Sequence, residues 1–100
     1  MVGYFVVDVR WTRSATKHRV SRARTLYVIE RCGLRFEQPA PSGTPAEASA
    51  RLVYLGDDAD GIALEVMAVE LEDGSLLVIH SMLLRERYRA QYEEAKRWRI

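Results

Sequence analysis

The sequence is poor in cysteine, with Cys32 alone, and in proline, whose three copies all fall within residues 39–45. A single thiol excludes an intramolecular disulfide, and no CxxC or Cys/His pair offers the spacing of a zinc site, so a reducing, cytoplasmic compartment is expected. Residues 1–8 lack the basic leader and long apolar core of a secretion signal, and every later apolar run is broken by charge well short of a membrane span. GxGxxG, GxxxxGK[ST], GxSxG and HExxH are all missing, which removes the usual signatures of nucleotide cofactors, serine hydrolysis and zinc proteolysis. Chemistry in this chain is expected to rest on side chains alone, with no cofactor and no metal.

What is present is a chain of 100 residues, 48% hydrophobic and 29% charged. That suits one domain, residues 1–100, with one modest core. The net charge of +1 conceals segregation. Residues 1–35 carry +6, residues 36–80 carry −8 and residues 81–100 carry +3. All basic residues but Lys17 and Lys96 are arginine, the side chain suited to bidentate phosphate contacts.

Tyr4 to Val9 is β-branched and aromatic and predicts a first strand. Thr12 and Ser21 can cap helices, giving a short segment around residues 13–18 and a second helix from Arg22 to Cys32, stopped by Gly33. Residues 39–49 read as a long surface loop. Three strands then follow, 51–56, 62–71 and 75–82, joined through residues 57–61 and through Asp73-Gly74 as an antiparallel meander. The aspartates of the first turn read as a solvated loop, because a calcium loop needs a longer ligand series ending in Glu. A terminal helix over 83–99 has two faces: Leu84, Tyr88, Ala95 and Trp98 to pack on the sheet, and Arg85, Arg89, Tyr92 and Lys96 as an aromatic ring among cations. The second face is what RNA binding would use, and equally what an ordinary amphipathic helix looks like. The expected fold is thus α+β: a small antiparallel sheet, a three-stranded meander plus an N-terminal strand, with two N-terminal helical segments and a C-terminal helix.

Turn geometry brings polar residues together. A two-residue Asp73-Gly74 loop pairs Glu72 with Ser75, Met67 with His80 and Glu65 with Met82, making Glu65 and His80 diagonal neighbours on one face. A five-residue loop at 57–61 pairs Val53 with Glu65 and adds Arg51 to that face. The opposite face, with Leu52, Tyr54, Ile62, Leu64, Val66, Ala68, Leu77 and Ile79, is expected to be the core. A histidine beside a carboxylate near an arginine is either a structural pair on a half-exposed sheet or an acid–base site for an anionic substrate. His18, flanked by Lys17 and Arg19, is expected to be exposed.

The order Trp11, Lys17-His18-Arg19-Val20-Ser21, strands, Val78-Ile79-His80 and an Arg-rich terminal helix with Tyr92 resembles the BrnT-like toxins of bacterial type II toxin–antitoxin systems, part of the RelE-like group of small ribonucleases. The chain departs from that pattern in three places. Arg19 stands for the Gly of a KHGVS-like element, Met82 for the Arg ending an IISAR-like strand, and Tyr88 for a helix Glu. The resemblance implies a cytoplasmic, metal-independent endoribonuclease that cleaves mRNA and is held by a cognate antitoxin. On this reading His80, Glu65, Arg51 and Arg85 form the catalytic set, and Arg89, Tyr92, Lys17, His18 and Lys96 contact RNA. The alternative is a non-enzymatic protein-interaction or RNA-binding module of the same fold, with Met67 and Met82 beside Val69 as an adaptable contact.

Overall fold

The computed structural model describes residues 8–31, 34–39 and 50–98. It is an α+β domain built on one five-stranded mixed sheet. The strands are β1 (Val9–Trp11), β2 (Leu34–Gln38), β3 (Arg51–Asp57), β4 (Ala63–Glu70) and β5 (Leu76–Leu83), in the spatial order β1-β5-β4-β3-β2. The meander β3-β4-β5 is antiparallel as expected, whereas β1 runs parallel to β5 and makes the sheet mixed. β2, absent from the expected set, carries its own signal: Leu34-Arg35-Phe36-Glu37-Gln38 alternates inward and outward residues against β3. Residues 4–7 of the expected first strand, the Cys32-Gly33 helix stop and residues 40–49 of the loop lie outside the described residues.

Helix α1 (Arg22–Arg31) starts as the sequence implies, with Ser21 Oγ accepting the Arg24 N–H. Thr12 does not cap. Its hydroxyl donates to the Val78 carbonyl instead, and the segment after it is a single 3-10 turn, Arg13–Thr16. A second 3-10 turn, Glu86–Tyr88, leads into α2 (Arg89–Arg97). The terminal helix therefore begins six residues later than expected.

Both faces of the sheet are covered, not one. On the first, Val28 of α1, Ala15 and Val20 pack on Leu52, Tyr54, Leu64, Val66, Ala68 and Val78. On the second, Tyr88 and Tyr92 pack on Val53, Leu55 and Met67, with Phe36, Ile79 and Leu84 beside them. Val78 and Ile79 are thus exchanged relative to the expected faces. The cause is local. The β4–β5 turn closes from Leu71 N to Ser75 O around three residues, with Gly74 at φ 88, so pairing near the turn is offset by one. A bulge between Met67 and Ala68 leaves Ile79 unpaired and restores the expected Met67–His80 and Glu65–Met82 pairs beyond it.

The β3–β4 loop is two residues off the expected register, giving Val53–Met67 and Leu55–Glu65. A shift of two keeps every side chain on its face. Nor is this loop a simple solvated turn: Asp58 is buried and accepts N–H bonds from Asp60 and Ile62, both 2.9 Å, and from Arg24 Nε of α1 at 2.8 Å. Those contacts hold the Asp58 carboxyl below its usual range, the Ile62 N–H first among them, and dock α1 onto the hairpin. Among the described residues no helix is long and apolar enough to cross a membrane.

Candidate functional site

Glu65 lies mid-strand on β4 and its side chain is wholly buried. A buried carboxylate is costly unless every lone pair is met. Here Oε1 accepts the Arg85 backbone N–H at 2.8 Å, while Oε2 accepts Arg85 Nε at 2.8 Å, Arg85 Nη2 at 2.6 Å and the His80 ring at 3.0 Å. Burial alone would push the Glu65 carboxyl up; the Arg85 and His80 bonds outweigh it and hold the group below the usual carboxylate value. Glu65 is therefore ionised and can only accept. It follows that His80 Nε2 carries a hydrogen and donates to it, leaving Nδ1 as the ring nitrogen with an available lone pair in the neutral imidazole. Burial holds the His80 imidazole below the ordinary histidine value despite the opposing pull of Glu65, with Arg85 and His18 adding to the depression. At neutral pH His80 is a neutral, oriented base.

His80 opens onto a cleft of about 670 Å³ on the second face, where α2 leaves the sheet uncovered. Its floor is Met67 and Ile79; around them stand Ser14 and Lys17 from the first 3-10 turn and its exit, Gln38 and Arg51 from β2 and β3, and Arg85, Arg87 and Tyr88. The 3-10 turn is fastened to β5 beside His80: Thr12 N–H and Oγ1 donate to the Val78 carbonyl and Ser14 Oγ donates to the Ile79 carbonyl. The chain then turns sharply at Arg19, which is left-handed at φ 66, so that Val20 enters the core while His18 stays outside. The His18 and His80 rings meet edge to face, with centroids 5.6 Å apart.

The structure thus gathers Glu65, His80, Arg85, Arg51, Lys17 and His18 in one region. Arg85 is a partner of Glu65 first, with two of its nitrogens committed, rather than a freestanding phosphate clamp. His18 does not line the cleft itself but touches the His80 ring at its edge, and Arg89, Tyr92 and Lys96 do not line it either. Arg89 pairs with Glu86 and Glu93 on the helix surface. Tyr92 is no stacking platform: it is buried, and its hydroxyl donates to Asp57 at 2.6 Å and accepts from Lys96 at 3.2 Å. Trp98, expected to pack, is 74% exposed and donates to Glu94. The break at Leu84 and the extended Arg85, followed by the 3-10 turn, reset the helical phase, which turns Tyr88 and Tyr92 inward together and Trp98 outward. Ser14 and Gln38 were missed at the cleft. For Gln38, the alternation of β2 was the available signal; Ser14 reaches the site through β1 pairing, which nothing local encodes.

Among the described residues no cluster of His, Cys, Asp and Glu could hold a metal ion. Comparison with protein-family models, with curated proteins and with solved structures found no match to this chain.

Proposed function

We propose that the chain is a small endoribonuclease of the toxin type, cleaving mRNA by 2′-hydroxyl attack, with the cleft as its active site. The observation that carries this reading is the neutral His80, fixed through Nε2 by buried, ionised Glu65, at the wall of a cleft that also bears Lys17, Arg51 and Arg87. Such a set has the parts of phosphodiester cleavage: a base for the 2′-hydroxyl proton and cations for the charge that builds on the phosphoryl oxygens. The 2′-oxygen bonds to phosphorus, the bond to the 5′-oxygen breaks, and the products are a 2′,3′-cyclic phosphate and a 5′-hydroxyl. The resemblance to BrnT-like toxins gains support from Arg19, which occupies a left-handed conformation at the place of the KHGVS-like glycine. An antitoxin is the partner this reading implies.

The test is direct. Purified protein should cleave mRNA in the presence of a chelator, and expression without its neighbouring reading frame should arrest growth. His80→Gln should lower cleavage by about 10²-fold or more, the usual contribution of a positioned base. Intact RNA together with harmless expression would overturn the reading in favour of an interaction module.

A further inference from the structure

The cleft supplies a base, yet cleavage also needs a proton for the departing 5′-oxygen. Arginine cannot give one near neutral pH, and Glu65 is buried, ionised and fully bonded. Three groups able to carry a proton remain near His80: Lys17 and Tyr88 on the cleft wall, and His18, which does not line the cleft but whose ring touches that of His80. The Tyr88 hydroxyl is engaged with the Gln38 side chain. Lys17 and His18 both leave the 3-10 turn that is bolted to β5 through Val78 and Ile79, the residues just before His80. The strained turn at Arg19 follows at once, and holds His18 against His80 while Val20 is drawn into the core. A non-glycine residue kept left-handed costs energy, and this one sits where the chain must present a histidine.

We propose that His18 is the general acid of the reaction and His80 the general base, a two-histidine pair bracketing one phosphodiester; this rests on the ribonuclease reading above. Attacking and leaving oxygens lie in line on opposite sides of phosphorus. The two rings, centred 5.6 Å apart, are near enough to flank one phosphodiester once it enters between them. His80 Nδ1 takes the 2′-hydroxyl proton as the 2′-oxygen attacks, and protonated His18 delivers a proton to the 5′-oxygen as its bond to phosphorus breaks. Each turnover transfers one proton onto His80 and one off His18, so the pair is reset by exchange with water. The rings touch edge to face in the free protein, so binding between them requires the two side chains to separate.

A leaving group that needs no proton isolates the acid. In a short oligoribonucleotide containing the linkage that wild-type protein cuts, the bridging 5′-oxygen is replaced by sulfur, which departs as thiolate. With the natural linkage, His18→Ala should cut 10²–10⁴-fold more slowly than wild type. With the sulfur linkage, that defect should shrink to a few-fold, whereas His80→Ala should stay slow on both substrates. His18 is exposed, and an unchanged thermal melt confirms that the variant folds. An equal defect on both substrates, no defect on the natural one, or sulfur rescue of Lys17→Ala in place of His18→Ala would each overturn the assignment. If wild-type protein cuts neither substrate, the ribonuclease reading itself fails.

Discussion

At the scale of single residues, the site turns on one buried carboxylate that fixes two partners. Glu65→Gln keeps the shape but offers Arg85 and His80 a neutral amide, one end of which donates. Breaking a buried charge network costs several kcal/mol, and retained packing moderates that to about 2–3 kcal/mol. Urea denaturation should show this loss, and cleavage should fall with it because the His80 tautomer is no longer imposed. The same contacts set the acid response. His80 titrates lower in the folded chain than its ordinary 6.5, so between the two values the unfolded chain binds the extra proton, and stability falls as pH drops below about 6.5. Glu65 titrates below its ordinary 4.5, adding a second loss as pH drops further. Thermal melts from pH 8 to 4 should show both, and His80→Asn should flatten the first. Greater wild-type stability at pH 5.5 than at pH 8 would contradict the account. The Glu65–His80 contact is reached from the sequence through a two-residue turn count whose error of one the bulge between Met67 and Ala68 cancels before His80. The share taken by Arg85 was not legible, since Arg85 follows the end of β5 in an extended segment that a continuous helix from residue 83 conceals.

At the scale of elements, turns and bulges determine what counting can recover. The β4–β5 hairpin reaches the expected pairs at its far end through a three-residue turn and a compensating bulge, so the faces of Val78 and Ile79 were misread while that of His80 was not. The exit of the first 3-10 turn gives a test of the strained segment. Arg19→Gly removes the left-handed penalty of roughly 1–2 kcal/mol and adds unfolded-state entropy of about half that. A net gain of about 0.5–1 kcal/mol is expected in denaturant melts; a loss would show that the Arg19 side chain earns its conformation. Helix α2 is held to β3 by Tyr92, through burial of its ring and its bond to Asp57. Tyr92→Phe keeps the ring and drops the bond to a carboxylate, which should cost about 1–2 kcal/mol of stability. Cleavage should be unchanged when the variant is assayed well below its melting point, because the Tyr92 hydroxyl lies outside the cleft.

At the scale of the whole molecule, the near-neutral sum hides where charge meets charge. Acid from the middle of the sequence is consumed at the hairpin turns, Asp58 by Arg24 and Asp73 by Arg10, and at the base of α2, Asp57 by Lys96. Arg89 and Arg97 are balanced by glutamates on α2 and on the 3-10 turn that precedes it. By contrast, Lys17, Arg51 and Arg87 come from three distant stretches to one cleft, and no carboxylate among the described residues pairs with them. From the sequence, the α2 cations read equally as an RNA face or as an ordinary amphipathic surface, with Lys17 and His18 as further RNA contacts: periodicity exposes a row of charges but cannot show which are already neutralised. The two locations differ in how they respond to salt. Each phosphate contact on a single strand contributes about −0.7 to the slope of log affinity against log salt, so three open cations predict a slope of about −2. A 2′-O-methyl oligonucleotide, which lacks the attacking hydroxyl, permits the titration without cleavage. Arg51→Ala and Arg87→Ala should each make the slope shallower by about 0.7, while Arg89→Ala and Lys96→Ala leave it unchanged. The opposite pattern would return RNA to α2 and leave the cleft without a polyanionic ligand.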